Sequence, residues 1–196
     1  ACEKGAQWKR ALELFDELKS SGIEPTVITY GATISACEKG AQWERALELF
    51  DELKRSGIKP TVITYDAVII ACHNAGAETD VRRMYRESLD CGLRSHWEGS
   101  KLDLHDMSVA VAETAVAVVL EDVRSGQCTR LPRGSDLVII TGRGNHSDDG
   151  VVLLRPAVMD MLAQPAYAAL DAAIDPNNDG RVRVTAARLA EWSGSV

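Results

Sequence analysis

The hydrophobic and polar positions of this chain recur at long range before they recur at short range. Residues 1–25 return as residues 36–60 with differences at only three positions, Lys9/Glu44, Ser20/Arg55 and Glu24/Lys59. The segment Thr26-Val27-Ile28-Thr29-Tyr30 returns as Thr61-Val62-Ile63-Thr64-Tyr65 at the same offset of 35 residues. A period in this range marks stacked helical repeats, because one helix pair cannot bury its apolar face without a neighbour. Within the unit 27–61, Val27 to about Lys39 reads as a first helix with Thr26 as N-cap. Gly40-Ala41 reads as the turn. A second helix runs from about Gln42 to Ser56, with Ala46, Leu47, Leu49, Phe50 and Leu53 on one face and Glu44, Glu48, Asp51 and Lys54 outside. Gly57 sits where a left-handed residue ends a helix, and Pro60 follows as a stop. Cys2, Cys37 and Cys72 share one repeat position and are expected to pack as small apolar side chains.

The next unit, 62–96, keeps the register but drifts. Arg82 and Ser88 replace Leu47 and Leu53. The pattern fades at Arg94, and residues 94–101 read as a linker. Beyond it the period changes. Leu102-Asp103-Leu104-His105 alternates as a short strand, and Ser108 to Arg124 is a helix. Asp136 to Thr141 is a buried strand, and residues 142–150 form a polar, glycine-containing loop. Pro156 to Ala163 is a helix, Gly180 to Thr185 a last strand and Ala186 to Trp192 a short helix. Strands alternating with helices predict a small α/β domain. The whole chain is therefore read as an α-helical solenoid over 1–96, with a partial first unit, followed by an α/β domain over 97–196.

The net charge of −7 and the absence of a basic half argue against nonspecific binding through a Lys/Arg-rich surface. No apolar run is long enough to span a membrane. The cysteines show no zinc spacing, and no metal site is expected. Asp175 to Gly180 imitates the start of a calcium loop, but its twelfth position is Ala186 rather than a bidentate Glu, so a plain turn is expected. Arg181 and Arg183 alternate on the last strand and face one way. The chain starts within a repeat unit, so further repeats and a targeting peptide are expected upstream.

The 35-residue period, the Val-Ile-Thr-Tyr opening, the Gly-Ile-x-Pro closing and the Ala-Leu-x-Leu-Phe second helix resemble the pentatricopeptide repeat family. The motifs Leu102-Asp103-Leu104-His105 and Thr141-Gly142-Arg143-Gly144-Asn145-His146-Ser147, in that order, resemble the Smr (small MutS-related) domain. The first resemblance implies binding of single-stranded RNA at about one base per repeat. It assigns base-reading positions to Gly31 and Thr61, to Asp66 and His96, and to Thr26 as the last residue of the partial unit. Ile28 and Ile63 would sandwich bases. Gly31 has no side chain to read with, so no base is assigned.

The second resemblance implies nuclease activity at Asp103 and His105, with nucleic acid bound by Thr141, Gly142, Arg143, Gly144, Asn145 and His146. Asp106 stands where that family has Gly, which leaves a noncatalytic binding fold as the alternative. No cofactor is called for, although a divalent cation such as Mg²⁺ is compatible with the carboxylates. The expected partner is single-stranded RNA, with DNA as the alternative; no membrane is expected, and the chain is read as a monomer. The combined resemblance implies a chloroplast or mitochondrial location.

Overall fold

The structure, a computed structural model, describes residues 2–142 and 153–194. It divides into two compact units, the first ending at Arg94 and the second starting at Ser95.

The first unit is five helices: α1 (Cys2–Ser20), α2 (Val27–Lys39), α3 (Trp43–Arg55), α4 (Val62–Asn74) and α5 (Glu78–Asp90). Thr26 and Thr61 start α2 and α4 through reciprocal capping boxes with Thr29 and Thr64, which satisfy backbone donors that the first helical turn leaves open. Gly57 takes φ +73° after α3, as its position predicts. The core is filled by Phe15, Tyr30, Ile34, Leu49, Phe50, Leu53, Tyr65, Val68, Met84 and Tyr85. Cys37 and Cys72 are buried within it.

Aromatic contacts repeat with the sequence. Phe15 meets Tyr30 at 4.9 Å between ring centroids, and Phe50 meets Tyr65 at 4.8 Å, both edge to face at 64°. A polar ladder runs beside them. Tyr30 Oη donates to Glu52 Oε1 at 3.0 Å, and Lys19 Nζ reaches the same oxygen at 2.6 Å. One repeat later Tyr65 Oη donates to Glu87 at 2.9 Å, and Lys54 pairs with that carboxylate. The Lys19 hydrogen bond, ahead of that from Tyr30, holds Glu52 below the usual carboxylate range.

The second unit is a mixed sheet backed by helices: β1 (Trp97–Glu98), β2 (Lys101–Asp103), α6 (Val109–Arg124), β3 (Leu137–Ile140), α7 (Leu154–Leu162), β4 (Ala173–Asp175), β5 (Asn178–Val184) and α8 (Ala186–Ser193). The sheet order is β1-β2-β3-β5-β4. Strands β2 and β3 are parallel, which requires a crossover, and α6 supplies it. Ser108 caps α6 by accepting from Val111 N. Leu102, Leu104, Leu137, Ile139, Val182 and Val184 are buried and fill the core with the apolar side of α6, including Val111, Val116 and Leu120.

The segment read from sequence as a linker, 94–101, contains β1 and the start of β2. A two-residue strand is too short to show alternation. Strand β4 also exceeds the reading: the calcium-loop imitator is the turn of the β4–β5 hairpin. Asp175 Oδ1 accepts from Asn177 N at 2.9 Å, and Asn178 Oδ1 accepts from Gly180 N at 3.0 Å.

Candidate nucleic-acid site

Parallel pairing of β2 with β3 sets Asp103 opposite Ile140, and Leu104 N extends the ladder to the Ile140 carbonyl at 2.9 Å. The two segments that follow, His105 and Thr141-Gly142, therefore leave the sheet side by side at its carboxyl end, where open α/β sheets tend to hold ligands. Gly142 has φ +74°, and a Cβ placed on it would lie 3.6 Å from His105 Cβ. Two motifs separated by 36 residues in sequence, from His105 to Thr141, thus meet in space.

His105 is held from both sides. Its Nδ1 lies 2.7 Å from Asp103 Oδ1, and its backbone N–H donates to the same oxygen at 3.2 Å. Its Nε2 lies 3.0 Å from Asp106 Oδ2. The Asp103 hydrogen bond is the largest influence and raises the imidazole pKa above its ordinary value. Partial burial opposes this, while the charges of Asp103, Asp106 and Glu98 add to it. The imidazole is 49% exposed, so reagents can reach it, and Asp106 is 87% exposed. Asp103, at 24%, is the more fixed partner.

Thr141, an implied nucleic-acid contact, has its polar groups engaged within the sheet. It is buried, its backbone N–H donates to the Gly180 carbonyl at 2.9 Å, and its hydroxyl donates to the same oxygen at 3.2 Å. It ties β3 to β5 and so fixes where Gly142 emerges. Arg143, Gly144, Asn145 and His146 lie outside the described residues. Among the described residues no group of three or more His, Cys, Asp and Glu is placed to hold a metal ion. The Asp103 and Asp106 carboxylates face His105 instead. No described helix is long and apolar enough to cross a membrane.

In the first unit Ile28 and Ile63 stand on the first turns of α2 and α4 with 78% and 72% exposure. These are large apolar side chains at equivalent positions, left facing solvent by a fold that buries its other isoleucine of α2, Ile34, completely. The other implied contact positions have local partners. Thr26 and Thr61 use their hydroxyls as N-caps. Gly31 is buried where a Cβ would lie 3.4 Å from Thr64 Cγ2, so its lack of a side chain serves the packing of α2 on α4. Asp66 pairs with Arg94, whose side chain is 8% exposed. His96 belongs to the second unit, is 3% exposed and accepts from Asp103 N through its carbonyl at 2.6 Å. The Asp66–Arg94 pair had no signal in the sequence beyond the two charges, because the equivalent position in the preceding unit pairs Lys59 with the side-chain-less Gly31.

Comparisons with known proteins agree with this division. The pentatricopeptide repeat domain model matches residues 1–40 and 13–75, and the Smr domain model matches residues 102–187. A comparison with curated proteins gives no match. Among solved structures, the pentatricopeptide repeat protein PPR10 from maize is 26% identical over 65% of this chain and 18% of its own, with a TM-score of 0.49. A structure of PPR10 in complex with an 18-nt psaJ RNA element is 22% identical over 63% of this chain and 16% of its own, with a TM-score of 0.43. The chain thus spans less than a fifth of the length of the solved repeat proteins it resembles. Residues 1–75 belong to the pentatricopeptide repeat family and residues 102–187 to the Smr family.

Proposed function

We propose that the chain binds single-stranded RNA and that its Smr domain cleaves the phosphodiester backbone at Asp103 and His105. The observation that carries this reading is the convergence of the two Smr motifs, with Gly142 beside a His105 that is clamped by Asp103. Asp103 accepts from Nδ1–H, which fixes the ring and leaves Nε2 to face the substrate. The raised imidazole pKa shifts His105 toward the imidazolium form. A water molecule attacks phosphorus and loses its proton to solvent, while His105 acts as general acid and gives the Nε2 proton to the departing oxygen once exposed Asp106 has moved off. Gly142, with no Cβ, lets a phosphate approach the backbone beside the ring.

The repeats would hold the strand, with Ile28 and Ile63 packing against bases. The match to pentatricopeptide repeats favours RNA over DNA as the partner. An RNA-processing role in a chloroplast or mitochondrion goes with the pairing of the two families.

A noncatalytic RNA-binding role is favoured by one observation, the 3.0 Å contact of Asp106 with Nε2, which covers the nitrogen that cleavage requires. End-labelled single-stranded RNA and matched DNA, incubated with the purified chain at low salt with and without Mg²⁺, separate the readings. Cleavage abolished by both Asp103→Ala and His105→Ala supports the nuclease. Binding without cleavage, restored to cleavage by Asp106→Gly, assigns the block to Asp106. Absence of binding to either polymer refutes the proposal.

A further inference from the structure

Three strands of the Smr unit share one half-exposed face. Alternation along β2, β3 and β5 sends Leu102, Leu137, Ile139, Val182 and Val184 into the core and leaves Lys101, Asp103, Val138, Ile140, Arg181 and Arg183 on the opposite side. The register aligns these into two rows across the sheet. One runs Glu98, Lys101, Val138, Arg183, and the other runs Asp103, Ile140, Arg181. Neighbouring strands lie about 4.8 Å apart, so the Arg181 backbone is roughly 10 Å from that of Asp103, within the span of one long side chain and one phosphate group.

The two arginines differ in what they touch. Arg183 pairs with Asp175 at 3.2 Å and with Asp136 at 3.8 Å. Arg181 has no carboxylate within ion-pair distance among the described residues, although its charge is felt at Asp175. Its row holds the acidic Asp103 beyond the apolar Ile140, and Asp103, Asp106 and Glu98 all act on His105. A polyanion approaching that cluster meets like charge, and a nearby cation must offset it. Lys101 lies in the other row, directly opposite Glu98 in the β1–β2 register, and Arg181 is the cation of the row that holds Asp103.

We propose that Arg181 binds the backbone phosphate next to the one positioned at His105, so that RNA crosses the sheet along the Asp103–Ile140–Arg181 row. The inference rests on the functional reading above. The guanidinium fork matches two phosphate oxygens, and half-exposed Ile140 gives the intervening ribose or base an apolar floor. Lys101 and Arg183, in the other row, are not part of this contact.

The test is fluorescence anisotropy of the full chain with a labelled single-stranded RNA, between about 50 and 200 mM salt. Arg181→Gln is expected to weaken binding about tenfold or more and to flatten the salt slope by about one phosphate contact. Arg183→Gln is expected to lower thermal stability but leave affinity and slope alone. The comparison is repeated in an Ile28→Ala/Ile63→Ala background, where the share held by the repeats is reduced and the Arg181 effect should persist. Should R181Q fail to fold, R181K decides, because a wild-type affinity there overturns a fork-bound phosphate. A wild-type chain that binds RNA while R181Q binds equally well overturns this inference alone. A wild-type chain that binds no RNA overturns it together with the function on which it rests.

Discussion

Truncating the two exposed isoleucines should separate folding from binding. Ile28 and Ile63 keep 78% and 72% of their surface in solvent, so Ile→Ala at either removes almost no buried contact. Alanine is also the better helix former. Stability should therefore stay within about 0.5 kcal/mol of wild type. Binding should behave oppositely. Burying a whole isoleucine is worth about 1.5–3 kcal/mol, and about three quarters of each side chain remains available to a base. Area converts to affinity inefficiently because association also orders both partners, so the low end, about 1 kcal/mol per site, is the reasonable expectation. The double variant should then bind about thirtyfold more weakly. Anisotropy titrations with single-stranded RNA measure the affinity, and thermal unfolding followed by circular dichroism measures the stability. Ile34→Ala is the internal contrast. That side chain is fully buried, and its loss should cost about 2–5 kcal/mol of stability. Unchanged affinity in the folded I28A/I63A chain would refute the idea that these side chains meet bases.

Other perturbations test the remaining features. Asp103→Asn should lower the His105 pKa toward its ordinary value, read by NMR titration of the ring proton, and an unmoved titration would remove Asp103 as the cause. The sign for stability follows from the raised native pKa. The contribution of this pair is full below about pH 6.5 and is lost as pH rises through the native value, so D103N should flatten the decline above that point. Gly142→Ala, at φ +74°, should cost about 1 kcal/mol from left-handed strain and slow any cleavage, whereas Gly134→Ala, at φ +76°, should show the strain alone. Tyr30→Phe removes a donor from Glu52 but leaves Lys19 in place, so unfolding midpoints should report a loss of about 1 kcal/mol. Glu52→Gln should blunt acid unfolding, because the lowered native pKa of Glu52 gives a stabilisation that is lost as pH falls through that value.

The helices of the repeats were legible because each residue appears twice. A Thr cap followed 35 positions later by another Thr cap, with the same apolar spacing between, leaves little freedom in where α2 and α4 begin. The Asp103–His105 contact was legible for a local reason, since residues two apart in an extended segment share a face. Its meeting with Gly142 needed the parallel pairing of β2 and β3, which alternation within either strand does not encode. The edge strands β1 and β4 were missed because two or three residues carry no readable period, and their pairing depends on neighbours distant in the chain. The implied base-reading positions illustrate the opposite difficulty. Thr26, Thr61 and Gly31 satisfy local demands of capping and helix packing, and the same residue types serve both purposes. Asp66, an implied base-reading position, is paired with Arg94.

The ladder that joins Lys19 to Glu52 and Lys54 to Glu87 also sets a rule for growth. Each second helix carries both halves of the joint, a glutamate offered to the helix before and a lysine offered to the helix after. A copy of residues 27–61 inserted in register would find complementary groups on both sides, so such an array lengthens without any new surface having to arise. The series stops by sequence rather than by exhaustion. The position that follows Lys19 and Lys54 at the same interval is Leu89, and α5 therefore has a glutamate to receive a lysine and no lysine to pass on.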